Sequence, residues 1–260
     1  VFSLCLAGCG GGGGGSGASP NSGGENNDIG VIPWPMLGQN PQHTGQSPYA
    51  GTDIPTTKWY QSSFDGSYTQ SVIGGDGTII ALNYFTDTIF AIDPHNGSIQ
   101  WGYSIDEEQA VKSIIHTPAI DGNGVIYFHD TDGIMYALNP DGSLKWKKNL
   151  YVYDTPLTIG SDGNMYAVDV NYLDCIGADG SLDWSYKPSD TRVSDLSPAI
   201  GTDGTIYIGV KNNGVDGNGS LIALFPDGSL KWRYYLDDPI DAWKSGVSPT
   251  IAPAIGPDGT

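Results

Sequence analysis

Apolar and polar positions alternate along most of the chain in short runs that are separated by glycine-containing turns. An Asn-Gly or Asp-Gly pair precedes β-branched or aromatic runs at residues 125–127, 165–167 and 206–208. Runs of this length with turn signals at their ends predict β-strands joined by tight turns. Because no stretch has the 3.6-residue periodicity of a long amphipathic helix, the pattern predicts an all-β protein.

The strand pattern recurs along the chain. A phrase of Asp or Asn, Gly and Ser, followed by two residues and a tryptophan, occurs four times, and its tryptophans are separated by 45, 38 and 48 residues. These tryptophans are Trp101, Trp146, Trp184 and Trp232. A second phrase, in which Pro follows Thr, Ser or Ala, begins a unit at residues 117–120, 155–159, 197–200 and 252–255.

Each unit predicts a strand, an Asp-Gly turn, a strand, a loop, a strand, an Asp-Gly-Ser turn and a strand ending in tryptophan. Residues 71–81 are a weaker copy of the first half of this unit. Four strands in about 40 to 45 residues is the period of a propeller blade. A helical solenoid is excluded because it needs long helical segments, which are absent. A β-helix is excluded because its coils are shorter and would not carry four turn signals in each unit. The predicted fold is therefore an all-β propeller of four-stranded blades, with about four complete blades.

Residues 91–101 resemble the repeat of the PQQ-like, quinoprotein-type propellers, a family that includes BamB-like lipoproteins. The tryptophan-docking motif of that family, Ala-x-Asp-x-x-Thr-Gly-Lys-x-x-Trp, is matched at Ala91, Asp93, Gly97 and Trp101. The Thr and Lys positions differ, and later copies are one residue shorter and lose the first Asp. The resemblance covers roughly residues 34–260, and residues 34–45 are similar to the segment that opens many such propellers.

In that family the tryptophan packs between neighbouring blades, which implies a blade-docking role for Trp101, Trp146, Trp184 and Trp232. A large flat ring can bury much area at a blade seam. Regular recurrence favours packing, because repeat units have to bury the faces they share. A ligand-stacking surface is the alternative interpretation of the four rings.

We expect both ends of the repeat region to be incomplete. Lys58 and Trp59 are similar to the last strand of a blade that has no earlier part, and in a ring such a strand would complete the final blade. Residues 256–260 lie in a turn that every other repeat continues into a strand. We expect a fragment with about four complete blades and the start of a fifth.

The amino-terminal residues are similar to the end of a bacterial lipoprotein signal peptide. Leu6-Ala7-Gly8-Cys9 matches the lipobox, which implies cleavage before Cys9 and lipidation of its thiol. The Gly-, Ser- and Asn-rich tract that follows is typical of a flexible tether. The expected organisation is a signal peptide remnant at 1–8, the lipid-anchor cysteine and linker at 9–30, and the partial propeller at 31–260.

The formal net charge of −18 makes nucleic acid an improbable partner, since an acidic surface repels the phosphate backbone. Many of the aspartates stand in Asp-Gly pairs, so turn chemistry is the favoured explanation of the charge and cation binding the alternative. Outside the first nine residues the chain has one cysteine, Cys175, which excludes a disulfide within the propeller. Leu173 and Ile176 beside it predict a small buried group.

The residues give no sign of enzyme chemistry. A quinoprotein dehydrogenase holds pyrroloquinoline quinone and calcium, commonly with a disulfide of adjacent cysteines, and no adjacent cysteines occur here. Residues 121–124 and 216–219 have calcium-loop character but lack the acidic ligand at position 12 of an EF-hand. The four histidines, His43, His95, His116 and His129, have no metal-ligand spacing, although His116 and His129 border predicted strands. No catalytic, cofactor-binding or metal-binding residue is predicted.

The favoured function is a non-catalytic, extracytoplasmic module that is lipid-anchored to the outer membrane or cell surface of a bacterium. It would bind a protein or a surface polymer at the cell envelope through loops on one face, although fold alone does not determine function. One alternative is a PQQ-dependent dehydrogenase whose active site lies in the missing part. Another is a carbohydrate-binding surface protein that uses exposed Tyr and Trp.

The lipid anchor predicts that Cys9→Ala moves the protein from the membrane fraction to the soluble fraction, because the acylated thiol is lost. Fractionation and immunoblotting measure the change. Membrane association that is unchanged in this variant would contradict the anchor.

Overall fold

The computed structural model describes twelve stretches of the chain. They are residues 35–45, 57–60, 71–83, 85–105, 113–114, 116–152, 155–169, 171–188, 191–193, 197–212, 219–235 and 253–256. The expected anchor, Cys9, and its linker lie outside the described residues. In the part of the chain that the structure describes, no helix has the length and apolar character needed to cross a membrane.

Seventeen strands in these stretches form four antiparallel sheets, and each sheet is one blade. Blade 1 contains β1 (Val72–Ile73), β2 (Ile79–Asn83), β3 (Thr88–Ile92) and β4 (Ile99–Ser104). Blade 2 contains β5 (Ala119–Ile120), β6 (Ile126–His129), β7 (Ile134–Leu138) and β8 (Leu144–Asn149). Blade 3 contains β9 (Thr158–Ile159), β10 (Met165–Val168), β11 (Leu173–Ile176) and β12 (Leu182–Tyr186). Blade 4 contains β13 (Thr191–Val193), β14 (Ala199–Ile200), β15 (Ile206–Asn212), β16 (Gly219–Leu224) and β17 (Leu230–Tyr235).

The blades have one topology. In blades 1 to 3 the four strands pair in chain order, and in the five-stranded blade 4 both β13 and β14 pair with the long β15, at its opposite ends. The first strands β1, β5 and β9 lie beside one another on the inner side, and the fourth strands are outermost and largely exposed. This architecture confirms the predicted all-β propeller of four-stranded blades.

The predicted end of the fourth strand was wrong. Strand β4 continues past Trp101 to Ser104, and β8, β12 and β17 likewise continue past their tryptophans. In each blade the residue before the tryptophan is the extra residue of a β-bulge, because the register of the pairing shifts there. A bulge bends the strand and changes the direction of the next side chain. The tryptophan therefore lies directly after a bulge, inside the strand.

The hydrophobic core lies between consecutive blades. The cluster between blades 1 and 2 includes Ile89 and Phe128, and the cluster between blades 2 and 3 includes Met135 and Met165. A third cluster joins blade 3 to blade 4 through residues such as Leu173. Each fully buried side chain of this type contributes roughly 1.5 to 3 kcal/mol of transfer free energy. Both faces of the middle strands are largely buried in blades 2 and 3, so each of these two blades is sandwiched by its neighbours.

The tryptophans join one blade to a turn of the next. A Cβ added to Gly142, which has φ of +82°, would lie 2.5 Å from the ring of Trp101. The indole Nε1 of Trp101 donates a hydrogen bond to the carbonyl of Pro140 at 3.0 Å. Equivalent bonds run from Trp146 to Ala178 and from Trp184 to Pro226, both at 3.1 Å. The glycine thus lets an indole lie directly against the backbone of the next blade.

The same tryptophans are supported within their own blade by a cross-strand row. In blade 2, Tyr127 pairs with Ala137, which pairs with Trp146, and the two aromatic rings are 6.0 Å apart. Blades 3 and 4 repeat the row with centroid distances of 6.1 and 5.9 Å. The middle residue is small, Ala137, Cys175 or Ala223, so the rings can approach each other across it.

We expect Trp146→Ala to lower the free energy of unfolding by about 3 kcal/mol, at the low end for a large aromatic residue because the ring is only half-buried. Urea denaturation followed by tryptophan fluorescence and circular dichroism measures the change. Leu182→Ala is the matched control, since Leu182 is a 55% exposed residue on an outer strand. Equal losses in both variants would contradict a blade-docking role.

Candidate functional site

The topology separates the loops into two ends of the propeller. The turns between first and second strands and between third and fourth strands lie at one end, here called the turn face. The loops between second and third strands and the connections between blades lie at the other end, here called the loop face. Successive antiparallel strands reverse direction, so this division holds in every blade.

The turn face carries much of the acidic charge, and its carboxylates are bonded within their own turns. Asp76, Asp141, Asp162, Asp179, Asp203 and Asp227 each accept the backbone N–H of the residue two positions later. Bonds from the backbone and side chain of Thr205 lower the pKa of Asp203 to about 2. Side-chain and backbone bonds from the following serine also lower the pKa of Asp141, Asp179 and Asp227. At these positions the interpretation of the charge as turn chemistry is confirmed.

The calcium-like sequence at residues 121–124 is such a turn. Asp121 accepts the N–H groups of Asn123 and Val125, both at 2.9 Å, and the hydroxyl of Tyr127 at 3.1 Å. Asp121 and Asp162 line an open cleft of about 560 Å³ between blades 2 and 3. Asp162 is bonded in the same manner, by Asn164 and Tyr166. Within the described stretches, no three His, Cys, Asp or Glu side chains are placed to hold a metal ion. Residues 216–218 of the second such sequence lie outside them.

The fold brings two of the dispersed histidines together near the loop face. The rings of His116 and His129 are 5.3 Å apart, although 13 positions separate them in sequence. His129 is buried, and its Nε2 donates to the carbonyl of Thr155 at 2.8 Å. The hydroxyl of Thr155 donates to the Val168 carbonyl at 2.7 Å. Both Thr155 contacts tie the connection after blade 2 to neighbouring strands, so this cluster holds blade 2 against blade 3.

Large aromatic side chains are exposed on the loop face, among them Phe85 and Tyr151, and Tyr234 and Tyr235 at the end of β17 are exposed as well. Phe85, in the loop of blade 1, is 64% exposed, and Tyr151, directly after blade 2, is 62% exposed. Tyr151 has φ of +57°, a conformation that is uncommon for a bulky residue. Its N–H bonds to the carbonyl of Gly133 at 2.9 Å and to the side chain of Asn149 at 3.3 Å. These bonds fix a strained backbone that presents the ring to solvent, and such strain is found at functional sites.

Residues 35–45, here called the axial segment, lie along the inner strands. The carbonyls of Pro35, Pro41 and Gln42 accept N–H bonds from the first-strand positions of blade 2, blade 4 and the fifth repeat. Those donors are Ile120, Ile200 and Ile255, at 2.8, 2.7 and 2.9 Å. The inner groove that these strands form is here called the inner channel.

His43 is the polar centre of this arrangement. Its Nδ1 lies 3.2 Å from the Pro253 carbonyl, which can only accept, and its Nε2 lies 3.3 Å from the hydroxyl oxygen of Thr158. Thr158 in turn donates to the Pro198 carbonyl at 3.0 Å. Burial lowers the pKa of His43, and the hydrogen bond to Pro253 opposes that effect. The ring thus connects blade 3 to the fifth repeat.

The residues predicted to dock blades lie at equivalent places, but one member of the set was missed. Trp59 contacts Gly97 as Trp101 contacts Gly142, and its Nε1 donates to the Pro94 carbonyl at 2.9 Å. The sequence did contain a signal for this docking role, because a Lys-Trp pair also occurs at the docking tryptophans of blades 2 and 4. Residues 57–60 nevertheless form no strand. Trp232 has the equivalent position in blade 4 and is 39% exposed.

Cys175 is buried, as predicted, and burial raises the pKa of its thiol to about 12. The axial role of His43 had no sequence signal, because the axial segment is not part of the repeat.

Comparison with known proteins gives a family match and more distant likenesses. The family model described as outer membrane protein assembly factor BamB matches residues 56–158. The assembly factor BamB of Moranella endobia (strain PCIT) is 29% identical over 168 residues, which are 55% of this chain and 38% of that protein. The uncharacterized protein YxaL of Bacillus subtilis (strain 168) is 63% identical over 27 residues, 10% of this chain and 7% of that protein. This chain therefore spans less than two fifths of either relative.

Among solved structures, virginiamycin B lyase from Staphylococcus aureus aligns with a TM-score of 0.52 and 15% identity. The alignment covers 69% of this chain and 59% of the lyase. At this identity the likeness concerns the fold alone.

The lowered pKa of His43 predicts that stability falls as the pH is reduced below the ordinary histidine value of 6.5. The unfolded chain then binds the proton more readily than the folded chain, so acid favours unfolding. Urea midpoints between pH 7.5 and 5.5 should decline less in His43→Gln than in the unchanged protein. The other three histidines are common to both proteins, and identical pH profiles would contradict the prediction.

Proposed function

Because this chain is a propeller of BamB-like, PQQ-type repeats, we propose that it is a non-catalytic binding module of the bacterial cell envelope. Its partner is a protein that takes part in the assembly of outer membrane proteins, the role named for the Moranella relative. Because the match covers only 38% of that relative, the activity of the whole protein is part of this proposal.

The exposed aromatic pair on the loop face is the observation that carries the proposal. Phe85 and Tyr151 belong to neighbouring blades, and both rings are more than 60% exposed. Tyrosine and other aromatic residues are enriched in the cores of protein interfaces. The turn face is less suited to the role, because the carboxylates described there are bonded within their own turns.

The proposed position at the envelope rests on the resemblance of Leu6-Ala7-Gly8-Cys9 to a lipobox. A lipid on Cys9 would hold the propeller at the membrane, and the Gly-, Ser- and Asn-rich composition of the about 20 residues that follow predicts a spacing on the order of 25 Å. A propeller on such a tether can turn its loop face towards a membrane-embedded partner.

We also propose that the protein works without pyrroloquinoline quinone. The axial segment supports this, because it bonds to the inner strand positions of blades 2 and 4 that a cofactor at the axis would approach. His43 contacts blade 3 in the same region. A carbohydrate-binding surface is the second candidate, since exposed rings such as Tyr151 also stack on sugars.

Site-specific crosslinking tests the protein partner. Benzoylphenylalanine in place of Phe85 or Tyr151 should give a discrete adduct in cells, which mass spectrometry identifies as a component of outer membrane protein assembly. The same amino acid in place of Leu182, an exposed residue of the outer strand β12, should give none.

Tyr151→Asn provides a second test. Asparagine tolerates positive φ, so this variant removes the ring and keeps the backbone conformation. We expect the adduct from position 85 to fall several-fold while the melting temperature stays the same. An undiminished adduct, or adducts of equal strength from position 182, would contradict the proposed surface.

A further inference from the structure

We propose that the inner channel is a peptide-binding site, which this chain fills with its own axial segment. Its ligand is a short peptide with two left-handed turns and a Pro-Gln-His sequence. The same peptide should bind in trans once the covalent connection is cut. This site is distinct from the loop face, and the proposal does not depend on the envelope partner.

Backbone hydrogen bonds provide the first part of the recognition. Three peptide carbonyls, spread from Pro35 to Gln42, accept N–H bonds from first-strand positions. The side chain of Gln42 returns a bond from its Nε2 to the Ile200 carbonyl at 2.7 Å. Ile200 therefore donates to the segment and accepts from it. Addition of a peptide to exposed strand groups is a general mode of peptide recognition.

Side chains provide the specificity. Met36 is buried in the cluster between blades 2 and 3, where Tyr127 and Val152 also lie. Seven residues later, His43 bonds to blade 3 and to the fifth repeat. The segment is thus held by an apolar anchor near one end and a polar anchor near the other, and both anchors belong to the peptide.

The segment also has internal structure typical of a preformed ligand. Its N–H groups at Gln39, His43 and Gly45 bond to carbonyls within the segment, at 2.9 to 3.1 Å. Gly38, Gln39, His43 and Gly45 have positive φ. Asn40 and Thr44 close the turn with two further bonds. A ligand that is ordered before binding loses less conformational entropy when it binds.

Many contacts between the blades do not involve this segment. The tryptophan bonds to Pro140, Ala178 and Pro226 join consecutive blades near the outer strands. Two of the three core clusters between blades, those that join blade 1 to 2 and blade 3 to 4, contain no residue of 35–45. The channel walls are therefore expected to persist when the segment leaves.

A nicked protein tests the proposal. A protease site inserted between residues 46 and 56 allows the connection to be cut in the folded protein. A fluorescein-labelled peptide of residues 31–47 should then exchange into the channel, which fluorescence anisotropy detects. The uncut protein should bind this peptide at least tenfold more weakly, because its channel is occupied.

Competitor peptides test the anchors. A peptide with Gln42→Ala and His43→Ala should compete at least tenfold less well than the unchanged peptide, and a scrambled peptide should not compete. Circular dichroism of the nicked protein, after its own segment is removed by gel filtration, should keep the strand signal. Loss of that signal, equal binding to uncut protein or equal competition by the scrambled peptide would each overturn the proposal. None of these results bears on crosslinking at the loop face.

Discussion

An indole ring that lies against a glycine of the next blade is the contact on which the arrangement of the blades depends. Gly97, Gly142 and Gly228 all have φ near +80°, a backbone conformation that residues with a side chain rarely adopt. At each of them a Cβ would come within about 2.6 Å of an indole carbon, so glycine is required by both backbone conformation and space. The indole N–H bonds to a carbonyl of the same turn, which fixes the angle between the blades. One short turn therefore closes a hairpin and also receives the neighbouring blade.

This contact explains other features that recur between blades. The β-bulge before each tryptophan aims the ring at the next turn. The small residue opposite the ring leaves room for a tyrosine from the second strand. In blades 2 and 3 that tyrosine donates to the aspartate of the first turn, as Tyr127 does to Asp121 and Tyr166 to Asp162. Turn, tyrosine and tryptophan thus form one connected unit, and Cys175 has the small-residue position in blade 3.

The sequence predicted whatever the repeat contains. Strand order, turn positions and the tryptophans recur with the blade period, and a repeated pattern can be compared with itself. The bulge escaped prediction because it alters pairing without altering the apolar pattern. The His116 and His129 contact depends on the connection between blades 1 and 2, and the placement of His43 depends on a segment that occurs once. Features formed by non-repeated residues give no internal comparison, so only tertiary structure reveals them.

Two kinds of contact therefore hold the blades, and they differ in how easily they can be separated. The tryptophan contacts are local, since each joins a blade to the next one along the chain. The axial segment is non-local, because it bonds blades 2, 3 and 4 and the fifth repeat through backbone groups and the side chain of His43. Local contacts can form as each blade is completed, whereas the axial contacts require several blades to be in place. The proposed channel is then a property of the assembled blades. The proposed peptide site therefore belongs to the assembled blades, and the axial segment is its ligand.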